Sequence, residues 1–301
     1  MKVLVLGGEG MLGPKVFEVL SRRFDTSATF LDPNGSWREF PQYAGVPEAR
    51  LLGGVDALRF ETVAAAFEQA RPDAVVNCVG IIKQLKEASD PILTITLNSL
   101  LPHRLAALCA GRGARLVHMS TDCVFSGRKG GAYTEDDLPD PEDLYGRSKL
   151  LGEVDRPDCL TIRTSIFGRD FLKQDALLEW SPSNRGRRVK GYRNAVCSGF
   201  PTQVLARIIG DLLDDQSTLG GLVQIASAPI SKYALLTMLK EALALDVEIE
   251  PFEDEPCDRS LSAARFVEAT GYRIPSWEEM VADLAADPTP YDEWRLAHVS
   301  A

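Results

Sequence analysis

Tyr145 and Lys149, in 144-LYGRSKLLGE-153, stand four residues apart in a segment that reads as helix. Side chains at that spacing share one helical face, with Arg147 and Ser148 turned elsewhere. Two readings are open here: a solvated amphipathic face, or a phenol held beside an ammonium for proton transfer. A tyrosine hydroxyl ordinarily titrates near ~10, too high for easy exchange at neutral pH. A lysine one turn away favours the phenolate and lowers that value, giving a general acid–base catalyst. A third group is needed to hold the substrate oxygen from the other side. The stretch 119-MSTDCVFSG-127 offers Ser120 and Thr121 at what reads as the carboxyl end of a parallel strand, where α/β folds gather ligands.

A second chemistry is written at the amino end. After the apolar run 2-KVLVLG-7 comes 7-GGEGMLG-13, with Gly7, Gly10 and Gly13 spaced G-x-x-G-x-x-G and Met11 and Leu12 between the last two. In such a loop one glycine permits a tight turn, one admits a pyrophosphate to the backbone, and one lets helix pack on strand. The helix opening near Pro14 then aims its amides and dipole at the phosphates. A plain strand–helix turn is the alternative, but the loop follows a clean strand and opens a helix, as a dinucleotide site requires. An acid ~20 positions on favours NAD by binding the ribose 2′-hydroxyl, and an arginine there accepts the 2′-phosphate of NADP. Asp32 in 30-FLD-32 is the acid, and Arg38 is the nearest base downstream. Asp32 also begins the turn 32-DPNG-35, where aspartate is favoured locally. NAD versus NADP therefore stays open.

The elements that must carry these residues follow from periodicity. Strand-like runs are 2–7, 26–31, 74–80, 114–121 and 159–164, with helix-like segments 61–70 and 98–111 between them. Continuous apolar strands separated by helices predict a parallel sheet covered on both faces, hence an α/β, doubly wound, Rossmann-like fold. The expected plan is a dinucleotide-binding domain over residues 1–165, with a return segment near 196–225, and residues 166–301 forming mainly a smaller C-terminal substrate-binding lobe. Segments 202–215, 231–245 and 276–287 read as helices, and 180–199 as loop plus short strand.

Composition narrows the partners. The 301 residues are 45% hydrophobic and 25% charged, as expected of a folded globular chain. Forty-three acidic against 33 basic residues give a net charge of −10, which argues against nucleic acid or an anionic membrane as main partner. The basic cluster 185-RGRRVK-190 suits a small anion better than a polymer. The six cysteines lack C-x-x-C spacing and read as free thiols of a reducing compartment. The run 3-VLVL-6 is too short for a signal peptide or membrane span, so the cytoplasm is the expected location. A homodimer is the default for a soluble enzyme, and no clear metal-ligand cluster is present.

Taken together and in order, the glycine loop, 120-STDCVFSG-127, 145-YGRSKLLGE-153 and 163-RTSIFG-168 resemble the extended short-chain dehydrogenase/reductases. Within that group the chain is most similar to dTDP-4-dehydrorhamnose reductases and relatives acting on nucleotide-linked 4-keto-6-deoxy sugars. The likeness covers the first ~170 residues well and thins through 199-GFPTQVLARII-209 and 258-DRSLSAARF-266. It implies Tyr145 as proton donor, Lys149 as its partner and a contact to the nicotinamide ribose, and Thr121 as the residue that binds the substrate carbonyl. It further implies NAD(P)H held by Gly7, Gly10, Met11, Leu12, Gly13, Asp32 and Asp56. Asn77, Cys78, Val79, Gly80, Asn98 and Ser120 would line the cofactor, with Thr164 and Ser165 beside the nicotinamide on the strand begun by Arg163. Substrate contacts fall to Lys83, Gln84, Thr121, Asp122, Cys123, Arg187, Arg188 and Arg259, with Lys190 near the phosphates. Arg259 reads equally well as a surface residue at a helix start. Cys123 stands where relatives often carry tyrosine, and 81-IIKQLKEASD-90 departs from the usual substrate loop, which leaves the sugar unspecified. With no histidine placed to activate it, Cys123 reads as a packing residue.

The function so implied is reduction of a ketone on a nucleotide sugar, in deoxysugar or polysaccharide biosynthesis. Two alternatives remain: an epimerase that retains its NAD(P), and a non-catalytic NAD(P)-binding regulatory subunit. The missing Asp-Glu doublet after Thr121 counts against a dehydratase.

Overall fold

The computed structural model describes residues 1–83, 86–172, 186–214, 219–253 and 255–298. The strands β1 (Lys2–Leu6), β2 (Asp25–Thr29), β3 (Leu51–Leu52), β4 (Ala74–Asn77), β5 (Arg115–Met119) and β6 (Cys159–Arg163) lie in the order 3-2-1-4-5-6. All neighbours are parallel. Along β1, Val3 and Val5 enter one core layer, and Leu4 and Leu6 enter the other. Alternating side chains thus meet a hydrophobic layer on each face, which is why these strands read as unbroken apolar runs. The expected doubly wound sheet is present.

Helices close both faces. Helix α1 (Gly13–Ser21) buries Val16, Phe17 and Leu20 in the first layer, and α2 (Phe60–Ala70) buries Val63, Ala66 and Phe67 in the second. Helix α3 runs from Pro91 to Ala110, longer than the 98–111 segment expected, because Asp90 caps it by accepting from the amides of Ile92 (2.9 Å) and Leu93 (3.2 Å). Its middle, Thr96–Leu100, widens into a π turn. By length and composition α3 could cross a membrane, yet half of its most apolar window is buried, with Leu97, Leu101 and Leu105 in the second layer.

Two strands of the main sheet fall outside the five runs read as strands. The pair Leu51–Leu52 forms the β3 edge, and β11 (Gly221–Gln224) pairs with β6 at the opposite edge. Helix α4 (Leu144–Leu151) precedes β6 and packs on the π turn of α3. Between β6 and β11 come β7 (Ile166–Phe167), β8 (Arg187–Tyr192), β9 (Ala195–Cys197), β10 (Phe200–Pro201) and the helix α5 (Thr202–Asp214) on α1. Strand β8 pairs with β13 (Val247–Phe252), and β9 lies between β12 (Ile230–Ser231) and β14 (Cys257–Asp258). These small sheets lie on the carboxyl-terminal side of the chain.

Candidate active site

The glycine loop is built as its spacing predicts. Gly7 takes a positive φ of 85°, a conformation side chains disfavour. A Cβ on Gly13 would stand 2.0 Å from the Gly7 carbonyl oxygen, so only glycine lets the helix start this close to the strand. Helix α1 opens at Leu12 with no side-chain cap, no acid in its first turn and Pro14 in that turn. Its first amides and the positive end of its dipole are thus left for an anion. This arrangement fits a dinucleotide pyrophosphate. The loop is also braced from a distance: the buried Tyr43 hydroxyl donates to the Gly8 carbonyl at 2.5 Å. No local pattern in the sequence marks Tyr43 for that task.

At the carboxyl end of β5, Thr121 turns the chain into the short 3-10 turn Asp122–Val124. Its hydroxyl oxygen accepts from the Cys123 amide (3.2 Å) and bonds the Asp122 carboxylate (3.1 Å). Helix α4 reaches this turn because Gly146 has no side chain: a Cβ there would lie 2.3 Å from the Cys123 carbonyl oxygen. Asp143 caps α4 by accepting from the Gly146 amide at 2.8 Å. Tyr145, in the first turn, is thereby brought beside Thr121.

Tyr145 is half-buried, and the surrounding protein pushes its pKa above the ordinary phenol value, chiefly by desolvation. Cys123, Asp122 and Asp143 raise it further, while Thr121 opposes them. Lys149 is itself the perturbed base: burial pulls its pKa down to about 8. Its ammonium donates to the Met119 carbonyl at 3.2 Å and lies 2.8 Å from where a Gly80 Cβ would be.

Asn98 fixes the same corner from α3. Its side-chain amide accepts from the Ile81 amide (2.9 Å) and donates to the Ile81 carbonyl (3.0 Å) and the Ser148 hydroxyl (3.2 Å). A Cβ on Gly152 would sit 1.9 Å from the Asn98 carbonyl oxygen, so helix meets helix through a glycine. Asn77 continues the wall: it accepts from the Val79 amide (3.1 Å) and bonds His118, whose imidazole burial keeps neutral. Cys78 is held as a thiol, with burial raising its pKa to about 12.

Ser120 donates to Glu153 at 2.7 Å, and Arg163 grips both oxygens of that carboxylate at 2.8 Å. This buried pair ties the ends of β5 and β6 together, and the sequence carries no signal for it. Thr164 is buried beside it, and Ser165 lies near Asp122, whose pKa burial raises. Asp32 is exposed, accepting from the Asn34 amide at 2.8 Å as a turn residue does. Asp56 accepts from the Leu58 amide (3.0 Å) and pairs with Arg59 (3.1 Å).

On the substrate side the expected residues separate. Lys83 pairs with Asp143 at 2.7 Å and so stands at the start of α4, next to Tyr145. Arg259 donates to the Phe125 carbonyl at 2.8 Å and lies close to Asp122, Cys123 and Asp143. Burial pushes the Cys123 thiol up to about 12, which rules it out as a nucleophile near neutrality. Arg188 instead pairs with Glu248 at 3.2 Å across β8 and β13, and Lys190 lies over the Phe252 ring. Gln84 and the Arg187 side chain lie outside the described residues. Among the described residues no cluster of three or more acids, histidines or cysteines could hold a metal ion.

Comparison with known proteins gives this site its context. The sequence profile of the RmlD substrate binding domain matches residues 1–289. The chain belongs to this family. It is 36% identical to a dTDP-4-dehydrorhamnose reductase of Mycolicibacterium smegmatis, over 72% of this chain and 71% of that protein. A dTDP-4-dehydrorhamnose reductase of Sinorhizobium fredii is 27% identical over 74% of this chain and 83% of its own. Among solved structures, the dTDP-4-dehydrorhamnose reductase of Bacillus anthracis in complex with NADP superposes with a TM-score of 0.75. It covers 96% of this chain and 99% of its own, at 19% identity. The UDP-glucose 4-epimerase of Thermus thermophilus with NAD gives 0.72 at 22% identity, covering 98% and 99%. At those identities the structural likenesses establish the fold.

Proposed function

We propose that the chain reduces the ketone of a nucleotide-linked 4-keto-6-deoxy sugar with NAD(P)H, as its relatives' names indicate for them. One observation carries the reading: the Gly146 contact with Cys123 sets Tyr145 of α4 beside Thr121 at the carboxyl end of β5, with Lys149 one turn along the helix. When bound, the dinucleotide supplies a hydride to the carbonyl carbon. Tyr145 holds a proton for the carbonyl oxygen, and burial keeps that proton in place at neutral pH. The Thr121 hydroxyl, which donates to Asp122 at 3.1 Å, would turn its proton from that carboxylate to the same oxygen. Negative charge grows on that oxygen only as the carbon is reduced, so donors fixed beside it lower the barrier selectively. Lys149 and Asn98 would hold the ribose side, and Gly7 to Gly13 the pyrophosphate. Lys83 and Arg259, flanking Asp143, would face the sugar nucleotide.

The test is consumption of NADH or NADPH by the purified chain with a dTDP-4-keto-6-deoxy sugar, followed by loss of nicotinamide absorbance. Tyr145→Phe should lower kcat by roughly 10²–10⁴-fold while dinucleotide affinity holds. Interconversion of sugar epimers without net cofactor loss would refute the reductase reading, as would full turnover in the phenylalanine variant.

A further inference from the structure

Resting on the dinucleotide reading above, we infer that this chain selects NADH over NADPH, and that Glu9 of the glycine loop is the residue that discriminates. The glycine loop docks on the end of β2: the Gly8 amide donates to the Thr29 carbonyl at 2.8 Å, and the Gly7 amide to the Thr29 hydroxyl at 3.3 Å. In this fold the end of the second strand is where the ribose 2′ position is read. Glu9 leans into that place, its carboxylate accepting from the Leu31 amide at 3.0 Å. One residue on, Asp32 adds a second carboxylate, held by the Asn34 amide at 2.8 Å.

A ribose 2′-hydroxyl can donate to a carboxylate. A 2′-phosphate carries ~1.5–2 negative charges and only accepts, so it meets repulsion from both carboxylates. The single lysine or arginine between residues 26 and 43 is Arg38. Its guanidinium pairs with Glu48 at 2.7 Å, donates twice to the Pro33 carbonyl (3.2 and 3.0 Å), and lies over the Trp37 ring at 4.7 Å. Arg38 is thus turned toward Glu48 and the Pro33 carbonyl, and on this inference it does not serve as the phosphate clamp of an NADPH site.

Binding of NADH and of NADPH to the full chain, titrated separately by calorimetry, tests the assignment without recourse to turnover. The wild type should bind NADH at least roughly tenfold more tightly, the range expected of one like-charge contact near a surface. Glu9→Gln keeps an oxygen for the Leu31 amide but removes the charge. It should tighten NADPH by a similar factor, move NADH little, and flatten the salt dependence of the ratio. Arg38→Ala should leave the ratio unchanged. Equal or tighter NADPH binding by the wild type overturns the inference. So does an unaltered ratio in Glu9→Gln, or loss of NADPH binding in Arg38→Ala. If neither dinucleotide binds, the underlying cofactor reading fails instead, a result distinct from all of these.

Discussion

Lys149→Met should make the protein more stable at neutral pH while disabling it. Lys149 is 6% exposed, and burial brings its pKa from 10.5 to about 8. That displacement means the folded state holds the ammonium at a disadvantage of about 3 kcal/mol at neutral pH. Methionine fills a similar volume without charge but leaves the Met119 carbonyl without the 3.2 Å donor, a loss of about 1 kcal/mol. The net gain is about 2 kcal/mol. Spread over 301 residues at ~2 cal/mol/K each, this raises the melting temperature by roughly 3 °C. The sign depends on pH. A lysine depressed in the fold binds its proton less tightly there than in the unfolded chain, so the disadvantage is full below pH 8. It vanishes as pH rises through 8 to 10.5, where both states become neutral. The melting difference between variant and wild type should therefore shrink across that window and reverse slightly at its top. Turnover should fall by roughly 10²–10³-fold at every pH. A variant that melts below the wild type at pH 7, or a difference flat from pH 7 to 10.5, would refute the reasoning.

Two further perturbations probe the frame around the site. Glu153→Gln leaves Arg163, at 3% side-chain exposure, without its charge partner and should cost about 3–5 kcal/mol in chemical denaturation. Replacing both, as Glu153→Leu with Arg163→Met, should recover most of that loss; a single variant as stable as the wild type would contradict the burial of the pair. Tyr43→Phe removes the 2.5 Å bond to the Gly8 carbonyl and should raise the KM for dinucleotide by roughly tenfold with kcat little changed. An unchanged KM would show that the glycine loop holds its shape without the brace.

What the sequence revealed, and what it hid, divides by the range of the interaction. The strands β1, β4, β5 and β6 were legible because each is buried on both faces, so apolar residues run nearly unbroken along them. Strand β2 (Asp25–Thr29) was marked instead by its β-branched threonines and the Phe30 and Leu31 that follow. Strand β3 is two residues long, and β11 is four with a buried Gln224; both take their identity from the neighbour they pair with. The start of α3 was signalled by Asp90 and Pro91, yet the β-branched Ile92, Thr94, Ile95 and Thr96 masked it. Within the site, Tyr145 and Lys149 are a local spacing, and Thr121 a strand end. Tyr43, Glu153 and the carbonyl of Asn98 act through contacts that no window of neighbouring residues contains.

The surroundings of Tyr145 and Lys149 were hidden by the same limit. Spacing says that two side chains share a helical face, but it is silent on what lies above that face. Here Asp122, Cys123 and Asp143 act on the phenol beside Thr121, and the ammonium turns toward Gly80 and the Met119 carbonyl. The two groups thus have separate tasks. A phenol that keeps its proton at neutral pH is poised to give it up only when a far stronger base, the nascent alkoxide, appears beside it. An easily titrated base at Lys149 faces the wall made by Asn98 and Gly80, where it can answer charge on a bound ligand. On the proposed reading, such a division suits reduction, because the acid is loaded before the substrate arrives.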